Sequence, residues 1–294
     1  SEPVLTADAF ASRLNKASLG IRAYMHSPDV IGVSEVENLN ALQALADRIN
    51  ADAVAAGQPD PGYVAYLEEG NDVGGIDVGF LVKAGDVAEG LPRVQVQSVT
   101  QVGATTEWTY EGDGSVTLLN DRPPLVLEGV VNFADGRQLP VTVVTVHQRS
   151  LNDVDSEEPR GTGTTGDRVR QKRQLQAEFL AGLLQDMQEA DPGRNVVVLG
   201  DFNAFEFNDG YADVMGTVTG VPSSDDATAV EGDGADLVEP DLYNATLLAP
   251  PAERYSFVFE NNAQSLDHIL INDAILLSPL VNSMTMSHAR INAD

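Results

Sequence analysis

Val196-Val197-Val198-Leu199-Gly200-Asp201-Phe202-Asn203-Ala204 is the stretch on which the reading of this chain turns. Four apolar residues, three of them β-branched, predict a strand buried on both faces. The run stops at Gly-Asp-Phe-Asn, which sets a carboxylate and a carboxamide on the strand's C-terminal rim. Open α/β sheets gather their chemistry at that edge. Asp201 and Asn203 are two residues apart, so an extended backbone sends both side chains to one side. One can activate a water while the other holds an oxyanion. An isolated Asp-x-Asn is ordinarily an Asx turn closing a strand, so the rest of the chain has to decide.

Working outward, the same habit recurs: an apolar run, then a polar group at its tip. Val30-Ile31-Gly32-Val33 leads to Glu35, Val141–Val146 to His147, and the strand pattern at 266–271 carries Asp267 and His268. A lone acidic residue after a strand is a turn former, and a lone histidine is more often structural than a ligand. Four such tips in one chain shift the balance toward a site.

Composition narrows the chemistry. The 294 residues carry 17 basic and 45 acidic side chains, a net charge of −28, with lysine only at Lys16, Lys83 and Lys172. Such a surface repels nucleic acid and anionic membrane unless basic residues gather locally or divalent cations intervene. It suits a secreted, periplasmic or salt-tolerant protein. With no cysteine, disulfides and thiolate metal sites are excluded, so a metal here must sit on oxygen or imidazole ligands. No run approaches the roughly 20 apolar residues of a membrane span.

Periodicity predicts a helix over residues 6–26, capped by Thr6 and Asp8 and inward at Phe10, Leu14, Ala17 and Ile21. A second runs from about Leu39 to Ala56, with Leu42, Leu45, Ala46 and Ile49 inward. A third spans Arg168 to Met187, with Leu175, Phe179, Leu183 and Leu184 in its stripe. Strands are expected at 76–82, at 125–133 and 141–146 joined through Asp135-Gly136, and at Tyr255–Glu260 paired with Leu266–Ile271. Helices and strands alternate early and hairpins dominate the middle. That mixture fits an α/β (α+β) architecture of two packed sheets with helices outside. It reads as a single domain over residues 1–294, with an acidic loop at about 220–240 too polar to pack a core.

Four of these segments, Gly200-Asp201-Phe202-Asn203, Ser34-Glu35-Val36, Thr145-Val146-His147 and Leu266-Asp267-His268-Ile269-Leu270, together resemble the endonuclease/exonuclease/phosphatase superfamily, the DNase I-like fold. They follow the family's order over nearly the whole chain. Asp121-Arg122-Pro123-Pro124-Leu125 and Arg149-Ser150-Leu151 resemble the branch of large secreted bacterial nucleases. The resemblance implies a four-layer α/β/β/α sandwich of two mixed sheets. It implies a divalent-metal-dependent phosphodiester hydrolase, an extracellular nuclease acting on DNA by in-line water attack.

In that reading Glu35 ligates Mg²⁺, Mn²⁺ or Ca²⁺, and His147 hydrogen-bonds a phosphate oxygen. Asp201 orients or deprotonates the water, Asn203 holds water or phosphate, and Asp267 orients a histidine. Arg122 and Arg149 contact substrate phosphate. A phosphoinositide, sphingomyelin or other small phosphoester is the alternative substrate, and a non-catalytic binding module the alternative class.

The family's opening strand ending in Asn and its closing Ser-Asp-His do not appear in the sequence. The expectation is therefore a domain excised from a longer protein and weakly active or inactive. It would lack terminal strands and be open to oligomerisation through unpaired edges. His268, adjacent to Asp267, should point to the opposite strand face, and His288 reads as surface or loop.

Other features carry bland readings beside sharper ones. Arg168, Arg170, Lys172 and Arg173 form either a phosphate-contacting patch or a solvated helix face paired with acidic neighbours, the latter slightly favoured. Glu37 is a second metal carboxylate or, preferably, a helix-start charge. Trp108 and Tyr110 stack a base or, preferably, form a cross-strand pair.

Overall fold

The computed structural model describes residues 5–290, and the two chain ends, where the missing family motifs were expected, lie outside them. In chain order the elements that place the site are α1 (Ala7–Leu19), β1 (Val30–Val36), α2 (Leu39–Ala55), β2 (Tyr63–Leu67), β3 (Asp77–Lys83), β4 (Val94–Gln101), β5 (Leu125–Asn132) and β6 (Gln138–His147). They continue with α3 (Thr165–Ala190), β7 (Val196–Asp201), α4 (Val214–Thr219), β8 (Tyr243–Asn244), β9 (Phe257–Phe259), β10 (Asn262–Gln264) and β11 (Asp267–Ile271).

Two sheets form the centre. The larger is six-stranded in the order β8-β11-β7-β6-β5-β4, and the smaller three-stranded in the order β1-β3-β2. In the larger, β6 and β7 run parallel while β5, β4, β11 and β8 run antiparallel to their neighbours. The smaller sheet is wholly antiparallel, so only one of the two expected mixed sheets is mixed.

Three cores separate four layers. Leu42, Ala46 and Ile49 of α2 pack on Ile31, Tyr63, Ala65 and Leu81 of the smaller sheet. Val78, Phe80 and Val82 meet Leu125, Leu127, Val141 and Val143 between the sheets. Ala177, Leu180, Ala181 and Leu184 of α3, with Val214, Met215 and Val218 of α4, cover Val144, Val146, Val196 and Val198 on the outside. The four-layer sandwich follows from this alternation of apolar faces.

The sheets touch most closely at Gly32. A Cβ there would stand 2.1 Å from Leu199 Cδ1 and 2.9 Å from Thr145 Oγ1. Strand β1 therefore crosses directly over β6 and β7, two residues short of their tips.

Several expectations need correction. The 6–26 helix is α1 followed by a π-turn over Gly20–Tyr24, and its stripe is buried only at Ile21. Phe10 is 36% exposed, because among the described residues nothing packs over the helix's first half. The α3 stripe is rotated: Ala177, Leu180, Ala181 and Leu184 face the sheet, and Leu175 and Phe179 cover Trp108 and Tyr110 instead. Segment 255–260 does not pair with 266–271. It closes a local hairpin, β9 with β10, while β11 pairs with β7 and β8. The acidic loop also reaches the core, through buried Val238 and half-buried Val230 and Leu237. The outer edge of β1 carries no paired strand among the described residues.

Candidate active site

Parallel β6 and β7 end together, and their last paired residues are His147 and Asp201. Antiparallel β11 starts where β7 ends, which sets Asp267 directly opposite Asp201. Packing at Gly32 brings the end of β1 to the same edge. There the ladder with β3 is interrupted between Val33 and Val36, a bulge of the kind that re-aims a side chain. Glu35 sits in it with φ +58°. The five residues expected to form a site, Glu35, His147, Asp201, Asn203 and Asp267, thus stand at one edge of the sandwich.

Gly200 makes the turn out of β7 possible. Its φ is +140°, and a Cβ would lie 2.1 Å from the backbone oxygen of Val146. Only glycine lets β7 approach β6 this closely at the tip.

Asp201 is the centre of the electrostatics. Its Oδ1 accepts the Asn203 backbone N–H at 2.7 Å. Its Oδ2 lies 3.5 Å from His147 Nε2. Burial, then the charges of Asp267 and Glu35, push the carboxyl up to about 7 against the Asn203 N–H and Arg122. His147 is buried with Nδ1 unpartnered. Burial, reinforced by Arg122 and opposed by Asp72, pulls the imidazole down to about 4. Near neutral pH the histidine is uncharged, so its contact with Asp201 is not an ion pair, and 3.5 Å is too long for a strong hydrogen bond.

Asn203 is buried and left-handed, with φ +49°. Its Nδ2 donates to Gln148 O at 3.0 Å. Its own carbonyl accepts Arg173 Nη1 at 2.8 Å, and the same nitrogen reaches Arg149 O at 2.7 Å. Arg173 is 1% exposed and faces Asp209 at 3.5 Å.

Arg173 is the site residue that the sequence reading missed. The basic run Arg168–Arg173 is neither a phosphate patch nor a solvated face. Lys172 is buried on Asp121 at 2.7 and 2.8 Å, Arg170 binds Asp167 and Val154 O, and Arg168 lies over Trp108 at 5.2 Å. Helix α3 uses its cations to fix the loops that hold the site. The signal was the clustering itself, in a chain with few cations to place.

Arg122 is also turned inward, and partly exposed Arg149 is tied to its own loop. Arg122 donates to the carbonyls of His147 at 3.2 Å and Gln148 at 3.1 Å and pairs with Asp72 at 3.3 Å. Arg149 bonds Ser150 Oγ and Asn152 O. Arg122 reaches the site through its field on Asp201 and His147 rather than as an unpaired guanidinium.

His268 faces away from Asp267, as alternation requires. It is 1% exposed, donates from Nε2 to Ala204 O at 2.8 Å, and packs edge-on against Phe202. Its Nδ1 therefore accepts from Asn244 Nδ2 at 3.2 Å. His288, half-buried in an irregular segment, lies within the electrostatic reach of Asp267, with burial holding its imidazole low. Asn38 caps α2, and Glu37 stands exposed just before that cap, outside the helix's first turn. Trp108 and Tyr110 are buried, a satellite core rather than a stacking surface.

Glu35, Asp201 and Asp267 form no ion pair with Lys or Arg among the described residues. Three carboxylates and one imidazole at one edge offer the oxygen and nitrogen donors that a hard divalent cation accepts, with exposed Glu35 as the candidate ligand. Among the described residues three carboxylates come within 4.8 Å of one another only at exposed Asp236, Glu239 and Asp241, away from this edge. No described helix is long and apolar enough to cross a membrane.

No protein-family model matches the chain, and no curated sequence is significantly similar to it. By structure it is similar to truncated Caenorhabditis elegans TDP2 (16% identity, 89% of this chain and 78% of that one, TM-score 0.44). The same holds for an endonuclease/exonuclease/phosphatase from Bacteroides vulgatus (13%, 89% and 79%, 0.46). It holds too for ANGEL2, a 2′,3′-cyclic phosphatase (14%, 93% and 76%, 0.49).

Proposed function

We propose that this protein is a divalent-metal-dependent phosphoester hydrolase of the endonuclease/exonuclease/phosphatase type, cleaving phosphodiesters in nucleic acid by in-line attack of water. The observation that carries the reading is the convergence of Glu35, His147, Asp201, Asn203 and Asp267 on one sheet edge, with Asp201 raised by burial and then by Asp267 and Glu35.

Each side chain has a matching task. Asp201 Oδ1 is fixed by the Asn203 N–H, leaving Oδ2 to orient water and take its proton. Neutral His147 can donate from Nε2 to a phosphate oxygen, and Asn203 Oδ1 accepts no hydrogen bond among the described residues. Glu35, exposed at the bulge, would hold the cation. That cation, Mg²⁺ or Mn²⁺, would supply Lewis-acid stabilisation of charge on the phosphoryl oxygens. Asp267 stands opposite Asp201 and within reach of His288. The acidic composition supports an extracellular setting.

A second reading, hydrolysis of a small phosphoester, is favoured by the inward commitment of Arg122 and the net charge of −28. The test is cleavage of plasmid and oligonucleotide DNA with Mg²⁺ or Mn²⁺, against small phosphodiesters and phosphomonoesters, for wild type and D201N. DNA cleavage that is abolished by chelation and lowered at least about 10³-fold in D201N is the expected result. Hydrolysis of small esters alone moves the substrate class. Cleavage indifferent to D201N overturns the mechanism.

A further inference from the structure

The acidic excursion over residues 220–240 carries six carboxylates, and five of them are exposed. Asp233 is the exception, only 3% exposed. Its Oδ2 accepts a hydrogen bond from Thr228 Oγ1. Its Oδ1 is shut off from solvent and has no hydrogen-bond partner among the described residues. A carboxylate withdrawn from water needs a compensating charge. From Asn195 to Glu253 the sequence has no lysine or arginine. The cations that bracket this stretch, Arg194 and Arg254, are paired with Glu128 and Glu206.

The atoms gathered at Asp233 are oxygens. Thr228 Oγ1 faces two acceptors at once, Asp233 Oδ2 and Val230 O at 3.0 Å, with a single hydrogen to give. A proton on Oδ2 would let the hydroxyl turn to Val230 O, but it would leave Oδ1 still without a partner. A hard cation answers all four oxygens together: both of the carboxylate, the hydroxyl and the backbone carbonyl. The set suits Ca²⁺, which takes bidentate carboxylates and carbonyls in irregular geometry. Mg²⁺ demands a near-octahedral shell and keeps most of its water.

The backbone around these atoms is pinned. Gly234 N–H donates to Asp225 Oδ1 at 2.7 Å, Ala229 N–H to Gly210 O at 3.0 Å, and Asn208 Nδ2 to Ser223 Oγ at 2.8 Å. The last two bonds reach the turn whose Asp209 faces Arg173. Val230 and Leu237 pack half-buried against the α3–α4 core. We propose that Asp233, with Thr228 Oγ1 and Val230 O, binds a calcium ion that holds the acidic excursion against this core, at a site distinct from the Glu35 edge. The exposed carboxylates around it draw divalent cations toward the loop.

Calorimetric titration with Ca²⁺ and thermal melts of the full chain test this in wild type, E35Q, D233N and T228V. A site with one carboxylate belongs with the weak calcium sites, at a Kd of about 10⁻⁴–10⁻³ M. About 10 mM Ca²⁺ should then raise the wild-type Tm by at least about 3 °C. The rise should persist in E35Q, where Mg²⁺ should not reproduce it. It should vanish in D233N and need at least about 10-fold more Ca²⁺ in T228V. Glu-C cleavage after exposed Glu231 should slow in Ca²⁺ for wild type and E35Q but not for D233N. T228V keeps the side chain's shape and removes one oxygen, so it carries the test should D233N misfold.

A Ca²⁺ effect that survives D233N overturns the proposal, whether it is diffuse or is lost instead on neutralising exposed Asp236, Glu239 and Asp241. An effect abolished by E35Q overturns it by placing the ion at the other edge. A wild type indifferent to Ca²⁺ overturns it as well, with Asp233 then a protonated acid.

Discussion

Replacing Asp201 with asparagine should make the cation-free protein more stable at pH 8 while removing its activity. In the folded chain the carboxyl rises from 3.8 to about 7 because of burial, then Asp267 and Glu35. A folded pKa above the unfolded one adds stability that is full below the unfolded value and lost as pH climbs through the folded value. Above pH 7 the ionised carboxylate is held against its preference. At about 1.4 kcal/mol per pH unit, the interval sets an upper bound of about 4 kcal/mol on that penalty.

Asparagine keeps an Oδ1 for the Asn203 N–H, bonded at 2.7 Å in wild type, and carries no charge. Half the bound, about 2 kcal/mol, is the expected gain, or about 4 °C in Tm for a chain of this size. Thermal melts in EDTA at pH 4 and pH 8 provide the assay. The gap should be present at pH 8 and closed at pH 4, where both side chains are neutral. Added Mg²⁺ should narrow it by drawing Asp201 back toward its ordinary value. A D201N protein less stable than wild type at pH 8, or a gap equal at both pH values, refutes the argument that burial and neighbouring charge disfavour the ionised carboxylate.

Arg173→Met should cost about 3–5 kcal/mol, because it strips a buried cation from two carbonyls and leaves Asp209 uncompensated; denaturant unfolding reads it. Gly200→Ala should be worse than an ordinary core overpacking of about 1–3 kcal/mol, since the new Cβ meets the Val146 backbone at 2.1 Å; loss of soluble protein or a collapsed melt is the expected result, and a wild-type Tm contradicts the tip geometry. Thr164→Ala removes the capping box with Asp167 that starts α3 and should cost about 1 kcal/mol, seen as a shift of the urea midpoint without change in slope. The outer edge of β1, unpaired among the described residues, predicts concentration-dependent self-association, which small-angle scattering would show as rising mass.

The elements that were legible in the sequence are those whose periodicity is local. Val196–Leu199, Leu125–Asn132 and Leu39–Ala55 announce themselves by β-branched runs or helical spacing, and the Asp135-Gly136 turn joins its two strands as expected. The partner of Leu266–Ile271 did not announce itself. Its pattern declares a strand, but pairing with β7 spans about 70 residues and depends on the whole sheet, not on neighbours in sequence. Tyr63–Leu67 passed unnoticed because five residues between a Pro-Gly and a Glu-Glu-Gly give too short a window. The basic helix face was misread for a different reason. Spacing shows that Arg168 and Lys172 share a face, but not that carbonyls and Asp121 wait there to receive them.

Neither could spacing reveal how much the site strains the chain that builds it. Glu35 and Asn203 both take positive φ, a conformation worth about 1–3 kcal/mol against a non-glycine residue. Asp201 is buried beside two further carboxylates that disfavour its charge, and the buried imidazole next to it stays neutral. Arg173 holds Asn203 in its left-handed turn, Gly32 lets β1 cross low enough to present Glu35, and Gly200 lets Asp201 face His147. The scaffold's close packing opposes the site's repulsion, which is why removing the charge should stabilise and removing the brace should not. Substitutions that relax this edge should therefore raise Tm and lower kcat together, whereas substitutions of equal size in the α2 core should lower Tm and leave kcat alone until unfolding begins.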